Sequence, residues 1–214
     1  MHTIAVRTAC LALAAAALAG CGECGLVKNV ESAGRFPAED ATEMKETKGQ
    51  VTFKGKPLTL LGEPAAVGDA APDFAVLAND LSEVKLSDFR GRVVLIASVP
   101  SLDTGVCDIE TRRFNEEAAA LGDVKVLAIS MDLPFAQKRW CGAAGAENVQ
   151  TLSDHRAASF GLSYGVLIKE LRLLARSVWV IDRKGKIVYV ERVKEMAGEP
   201  DYQAALAAAR AALK

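Results

Sequence analysis

Between Val93 and Val99 the chain reads "VVLIASV", a continuous apolar run that predicts a strand buried on both faces. "VKVLAIS", Val124 to Ser130, predicts a second core strand. Helical spacing fills the interval. It predicts a helix from about Val106 to Leu121, with Ile109, Phe114, Ala118 and Leu121 inward and Gly122 at its end. Arg112, Arg113, Glu116 and Glu117 then fall on its surface. Strand, helix and strand at this spacing form a parallel crossover. Upstream, "VTFKGKPLTLLG" gives two extended runs about Lys54-Gly55-Lys56, a hairpin. Downstream, "DLPFAQKRWCG" predicts a short helix with Asp132 as cap, Pro134 in its first turn and Gly142 as its stop. "HRAASFGLSYG" predicts another. "SVWVID" and "KIVYVERV" are strands joined around Arg183-Lys184-Gly185, hence antiparallel, and "PDYQAALAAARAAL" is a terminal helix.

This order is that of an α/β, thioredoxin-like fold with an N-terminal β-hairpin. At 214 residues, half of them hydrophobic, the chain suits one domain plus a further segment. The domain is placed at 51–214, and the further segment is N-terminal. "ACLALAAAALAGC", Ala9 to Cys21, is too short for a membrane span, which needs about twenty residues, and right for a signal-peptide core. Leu18-Ala19-Gly20-Cys21 resembles a bacterial lipoprotein box, in which the cysteine receives the lipid. Residues 1–20 are therefore expected to be a lipoprotein signal peptide, Cys21 the lipidation site, and 21–50 a polar tether. Local helix in "EDATEMKETK" is one option within it. The expected location is the cell envelope, lipid-anchored and facing the periplasm. Gly22, where an aspartate would argue for inner-membrane retention, leans toward the outer membrane. Cys24 is left without a role. The net charge of −1, from 26 basic and 27 acidic residues, gives no electrostatic case for nucleic acid. No Cys/His cluster has metal-site spacing, and no cofactor is expected.

Of five cysteines, Cys107 is placed where the chemistry of an open α/β sheet occurs, beyond the carboxyl end of a core strand and at a helix start. Thiolate is the reactive form of sulfur, and a helix N-terminus favours negative charge. Pro100 fixes the chain as it leaves the strand, Gly105 permits close backbone approach, and Thr104 brings a hydroxyl beside the sulfur.

Pro100, Thr104 and Cys107 form PxxxTxxC, which resembles the active-site pattern of peroxiredoxins. "PSLDTGVC", "DLPFAQKRWCG" and "EPDYQAAL" resemble the thiol peroxidase branch, whose members are atypical two-cysteine peroxiredoxins. The resemblance runs from about Val51 to the C-terminus. It implies a peroxiredoxin-type fold and a peroxidase that reduces hydrogen peroxide and organic hydroperoxides to water and alcohols, in antioxidant defence. It implies Cys107 as the peroxidatic nucleophile, Arg176 in "LLARSVWVID" as the cation beside it, and Cys141 as the resolving cysteine. The expected product is an intramolecular Cys107–Cys141 disulfide. It further implies a homodimer and reduction by thioredoxin. With an export signal present, an exported thioredoxin-like protein is the expected reductant.

"GVLIKELRLLAR", before Arg176, is shorter and less glycine-rich than is usual in that family. Phe53, Leu133, Phe135 and Leu167 read equally as an apolar pocket rim or as core, and His155 as a surface helix residue. Two rivals stand beside the peroxidase. An exported thiol–disulfide oxidoreductase would want a second cysteine at 104, where threonine stands. A non-catalytic lipid-anchored module would have no need of Pro100, Thr104, Cys107, Cys141 and Arg176 together.

Overall fold

A computed structural model describes residues 44–214. The expected signal peptide, Cys21, Cys24 and most of the tether lie outside the described residues. The chain first forms a hairpin of β1 (Glu46–Phe53) and β2 (Lys56–Leu61), turned by Lys54 and Gly55 at φ of 51° and 74°. Two successive positive φ values match the twist of the paired strands. β1 starts at Glu46, inside the 21–50 stretch expected to be tether. Its first residues face solvent and show no apolar alternation, yet their backbone pairs with β2, Glu46 opposite Leu61 and Thr47 opposite Leu60. A bulge between Lys48 and Val51 further hides the register.

The order continues through β3 (Ala75–Leu77), β4 (Glu83–Lys85), β5 (Val93–Ser98), α1 (Gly105–Ala118), β6 (Val124–Ser130), α2 (Pro134–Ala144), β7 (Val149–Ser153) and α3 (Ser159–Ser163). The strands β8 (Leu167–Ile168), β9 (Leu173–Leu174), β10 (Ser177–Ile181) and β11 (Ile187–Arg192) follow, and then α4 (Tyr202–Ala212). The main sheet has the order β11-β10-β5-β6-β7-β3-β4, with β5, β6 and β7 parallel and β10 antiparallel to β5. A smaller sheet has the order β1-β2-β8-β9. This is the expected α/β, thioredoxin-like arrangement with its N-terminal hairpin.

Strand alternation builds two cores. Val93, Leu95, Ala97, Val126, Ala128, Val178 and Val180 pack under α1 and α4, against Phe114, Tyr202 and Leu206. Val94, Ile96, Leu127, Ile129 and Trp179 face the other way, toward the hairpin's Val51 and Leu60 and toward Phe160 and Tyr164. Both faces of β5 are covered, which is why its sequence is apolar from Val93 to Ala97.

Three local expectations change. Ile109 is 53% exposed. The inward stripe of α1 runs through Cys107, Glu110, Thr111, Phe114 and Ala118, and Ile109 lies off it. Asp132 does not cap α2. Leu133 is the N-cap, and the helix passes Gly142 to end at Gly145, whose φ of 62° supplies the left-handed stop. α3 is only Ser159–Ser163, and His155 is half-buried in the turn before it, near the Ser153 hydroxyl.

Candidate active site

The site forms where β5 gives way to α1. Pro100 is buried there, directly after Val99, whose N–H donates to the Ile129 carbonyl at 2.9 Å. Asp132, just past β6, fastens the loop that follows. Its carboxylate accepts from the Leu102 N–H, the Ser101 hydroxyl and the Ser130 hydroxyl, each at 2.8 Å. The residue expected to cap a helix therefore anchors the approach to another.

Thr104 is the N-cap of α1, extended at φ −105°, and its side chain does not cap the helix. Its Oγ1 lies 2.8 Å from the Cys107 sulfur and 2.9 Å from the Ser101 carbonyl. One hydroxyl proton serves only one of these at a time. Against a thiol the hydroxyl donates to Ser101 and accepts from S–H; against a thiolate it turns its proton to the sulfur. Among the described residues, the N–H groups of Gly105, Val106 and Cys107 have no acceptor, as expected for the first turn of a helix. They face the same end of α1 as the sulfur and add to the positive field there.

Arg176 comes from the loop before β10. Ser98 fixes that loop to the end of β5, its hydroxyl lying 2.8 Å from the Ala175 carbonyl and 2.6 Å from the Ser177 hydroxyl. Arg176 is 1% exposed. Its Nη2 donates to the Cys107 sulfur at 3.2 Å and to the Met196 carbonyl at 3.1 Å, and its Nη1 to Glu110. Burial alone would pull Arg176 down, but Glu110 and Cys107 beside it outweigh burial and hold it above its ordinary value. The Met196 carbonyl is itself held by the hairpin. The Met196 N–H donates to the Thr52 carbonyl at 2.9 Å, while the Glu195 carboxylate accepts from the N–H groups of Lys54 and Gly55 at 2.9 and 3.1 Å. The hairpin thus reaches the cation through one loop.

Glu110 is the residue the sequence reading missed. It sits one turn after Cys107, so helical spacing alone would place it on the sulfur's face. It is fully buried, and burial pushes its carboxyl up to about 7 against the pull of Arg176. Asp108, next to Cys107, turns its carboxylate toward α2. Its carboxylate accepts from Arg112 Nε at 2.9 Å and from the Trp140 indole N–H at 2.8 Å. Arg112 is thus engaged rather than simply on the surface; its Nη1 also donates to the Ala144 carbonyl at 3.2 Å.

Cys141 lies in α2, half-buried, and both cysteines are free thiols. Its sulfur lies 3.1 Å from the Thr151 hydroxyl, with Asn79 Nδ2 at 3.8 Å. Cys107 and Trp140 share one small apolar cluster, against which Cys141 packs. Cys141 also lines an open cleft of ≈ 500 Å³ with Asn79, Lys125, Glu147 and Thr151. Thr104, Cys107 and Arg176 are gathered at one point, with Pro100 on the stretch of chain that leads from β5 to it, and Cys141 stands on the neighbouring helix with different hydrogen-bond partners. Leu167 is core at 1% exposed, whereas Leu133 and Phe135 are exposed and Phe53 lies beside the hairpin turn. Among the described residues no group of three or more His, Cys, Asp or Glu could hold a metal ion.

Residues 66–206 match the Redoxin family model. The chain is 60% identical over 165 residues to a thiol peroxidase of Bacillus subtilis, spanning 77% of this chain and 99% of that protein. It is 62% identical over 163 residues to a thiol peroxidase of Halalkalibacterium halodurans, at 76% and 98% coverage. Among solved structures, a peroxiredoxin-like protein from Aquifex aeolicus superposes with a TM-score of 0.73 at 41% identity, covering 79% of this chain and 98% of that one.

Proposed function

The chain belongs to the thiol peroxidase family, and from that premise we propose how its own residues reduce a hydroperoxide. The protein is a thiol-dependent peroxidase of the peroxiredoxin type. The observation that carries the residue assignment is the sulfur of Cys107 set between a hydroxyl at 2.8 Å and a guanidinium at 3.2 Å, at the start of a helix. The Cys107 thiolate attacks one peroxide oxygen and the O–O bond breaks. Its electron pair leaves on the other oxygen, which takes a proton, and the sulfur becomes a sulfenic acid. Thr104, Arg176 and the first N–H groups of α1 donate to the charge that grows on the leaving oxygen. The Cys141 sulfur then attacks the Cys107 sulfur, the S–O bond breaks, the thiol proton of Cys141 leaves with the sulfenic hydroxyl as water, and an intramolecular disulfide forms. For this both sulfurs must quit their present partners, so α1 and α2 open locally during each cycle.

The reductant in this reading is thioredoxin or an exported thioredoxin-like dithiol. The cleft beside Cys141 supports attack on that sulfur, since Cys107 is fully buried. Ile109, Leu133 and Phe135, large apolar side chains left exposed, support a homodimer, which sedimentation of the domain tests. The lipoprotein box at Cys21, outside the described residues, supports a lipid-anchored protein of the cell envelope that meets peroxide in the periplasm. Metabolic labelling with a fatty acid should mark the full chain and spare Cys21→Ser.

The central test adds one equivalent of peroxide to the reduced protein, followed by non-reducing peptide mass spectrometry. A Cys107–Cys141 linkage within one chain is expected, and Cys107→Ser should abolish it. A lasting oxygen on Cys107 would remove Cys141 as resolver. Inertness of both sulfurs would return the fold to a binding module, and insulin reduction would favour the thiol–disulfide oxidoreductase.

A further inference from the structure

Among the described residues Arg176 is the one fully buried cation, and it faces two fully buried acids. Its Nη1 meets Glu110 and its Nη2 the Cys107 sulfur. The remaining carboxyl oxygen of Glu110, Oε1, is buried with no hydrogen-bond partner. Apart from Arg176, the charged groups around this carboxyl do not relieve it. Glu191, on β11, and Glu199, before α4, both oppose its ionisation. Tyr202, on α4, donates its hydroxyl to Glu199, and Arg113, on α1 itself, lies over the Tyr202 ring at 4.0 Å from its centroid. Two anions with one cation would leave an uncompensated charge out of water, which proteins avoid by neutralising one group.

We infer that Cys107 and Glu110 share a single negative charge, so that Glu110 is protonated while the sulfur is thiolate and ionises when oxidation removes the sulfur's charge. The inference rests on Cys107 being the peroxidatic sulfur. The step balances: thiolate, carboxylic acid and hydroperoxide give sulfenic acid, carboxylate and alcohol. The sulfur–oxygen bond forms, the O–O bond breaks, and the proton released by Glu110 equals the one gained by the leaving oxygen. No proton is drawn from the medium overall. Glu110 touches no substrate and acts through Arg176, which makes it a positioning residue. Once ionised it holds Arg176 alone, which frees the oxidised sulfur to leave toward Cys141.

The test uses Cys141→Ser, in which the sulfenic acid persists, at neutral pH with one equivalent of hydrogen peroxide. Infrared difference spectra, an indicator dye and mass spectrometry are read together. The expected result is loss of a protonated-carboxyl C=O band as Cys107 gains one oxygen, with no net proton uptake. Adding Glu110→Gln should remove the band and make the protein take up one proton per peroxide. An oxygen on Cys107 without loss of the carboxyl band overturns the inference and leaves the peroxidase standing. No oxygen on Cys107 overturns both. The infrared result needs no change at residue 110, so it decides the matter even where Glu110→Gln does not fold.

Discussion

The Thr104 hydroxyl stands 2.8 Å from the sulfur and 2.9 Å from a carbonyl, so it can follow the charge of Cys107 by rotating one proton. Valine has nearly the same shape without that proton. Thr104→Val should therefore lower the rate of Cys107 oxidation by roughly 10²-fold, the usual cost of losing one preorganised donor, while Thr104→Ser keeps most of it. Stopped-flow tryptophan fluorescence measures both, and equal rates for valine and serine would remove the hydroxyl from the chemistry. At this scale the sequence showed what lies within one segment. Pro100, Thr104 and Cys107 stand within a single loop and helix start, and their chemistry is local. Arg176 is 69 positions from Cys107 and was legible only through family resemblance. Glu110 escaped because a glutamate in an amphipathic helix reads as surface. Its partner is the same distant arginine, so only the folded chain shows why it is buried. Asp132 precedes a proline helix and looks like its cap, but two of the three donors it serves lie on a loop some thirty positions earlier.

Between elements, the contact on which the proposed cycle bears most directly is that of α1 with α2. Asp108 joins them by accepting from the Trp140 indole, and Arg112 adds a bond to the Ala144 carbonyl. In the proposed cycle, disulfide formation parts these helices, so the clasp would resist resolution while it holds the reduced site in order. Asp108→Ala removes the acceptor. At about 1.5–3 kcal/mol for a bond to a charged group, conversion of the sulfenic acid to the Cys107–Cys141 disulfide should quicken roughly ten- to a hundredfold. Rapid quench and mass spectrometry follow that step separately from Cys107 oxidation. An unchanged or slower resolution would mean that the helices part elsewhere. The elements themselves were readable wherever burial imposed a pattern. β5 and β6 are apolar because both faces are covered, and α4 because one face is. The first half of β1 faces water and pairs only through its backbone, so no side-chain period reveals it. In α1 the stripe was drawn through Ile109 because a buried glutamate occupied its proper position.

For the whole molecule, the buried carboxyls set how stability depends on pH. Burial raises Glu110 to about 7 and Asp154 to about 6, the latter despite N–H bonds from Phe160 and Gly161. Unfolded, both would titrate near 4. Between about pH 4 and 7 the folded reduced protein therefore binds more protons than the unfolded chain, and its stability falls as pH rises through that window. Other carboxylates act in the opposite sense. Glu83, paired with Lys85 and Arg156, Glu170, bonded by the Thr59 N–H, and Glu195, bonded by Thr52, all lie below their ordinary values. Their stabilisation is present above about pH 4.5 and is lost on acidification below it. The two trends cross, so the urea midpoint of the reduced protein should be greatest near about pH 5 and decline on both sides. The decline toward neutrality is the cost of burying Glu110 and Asp154, which Arg176 lessens for Glu110. Glu110→Gln should flatten it by an amount of order 1–3 kcal/mol between about pH 5 and 8, leaving the acid limb as it was. A midpoint that rose steadily from acid to pH 8 in the unsubstituted protein would show that Glu110 and Asp154 are ionised throughout. The shared charge at the active site would fall with it.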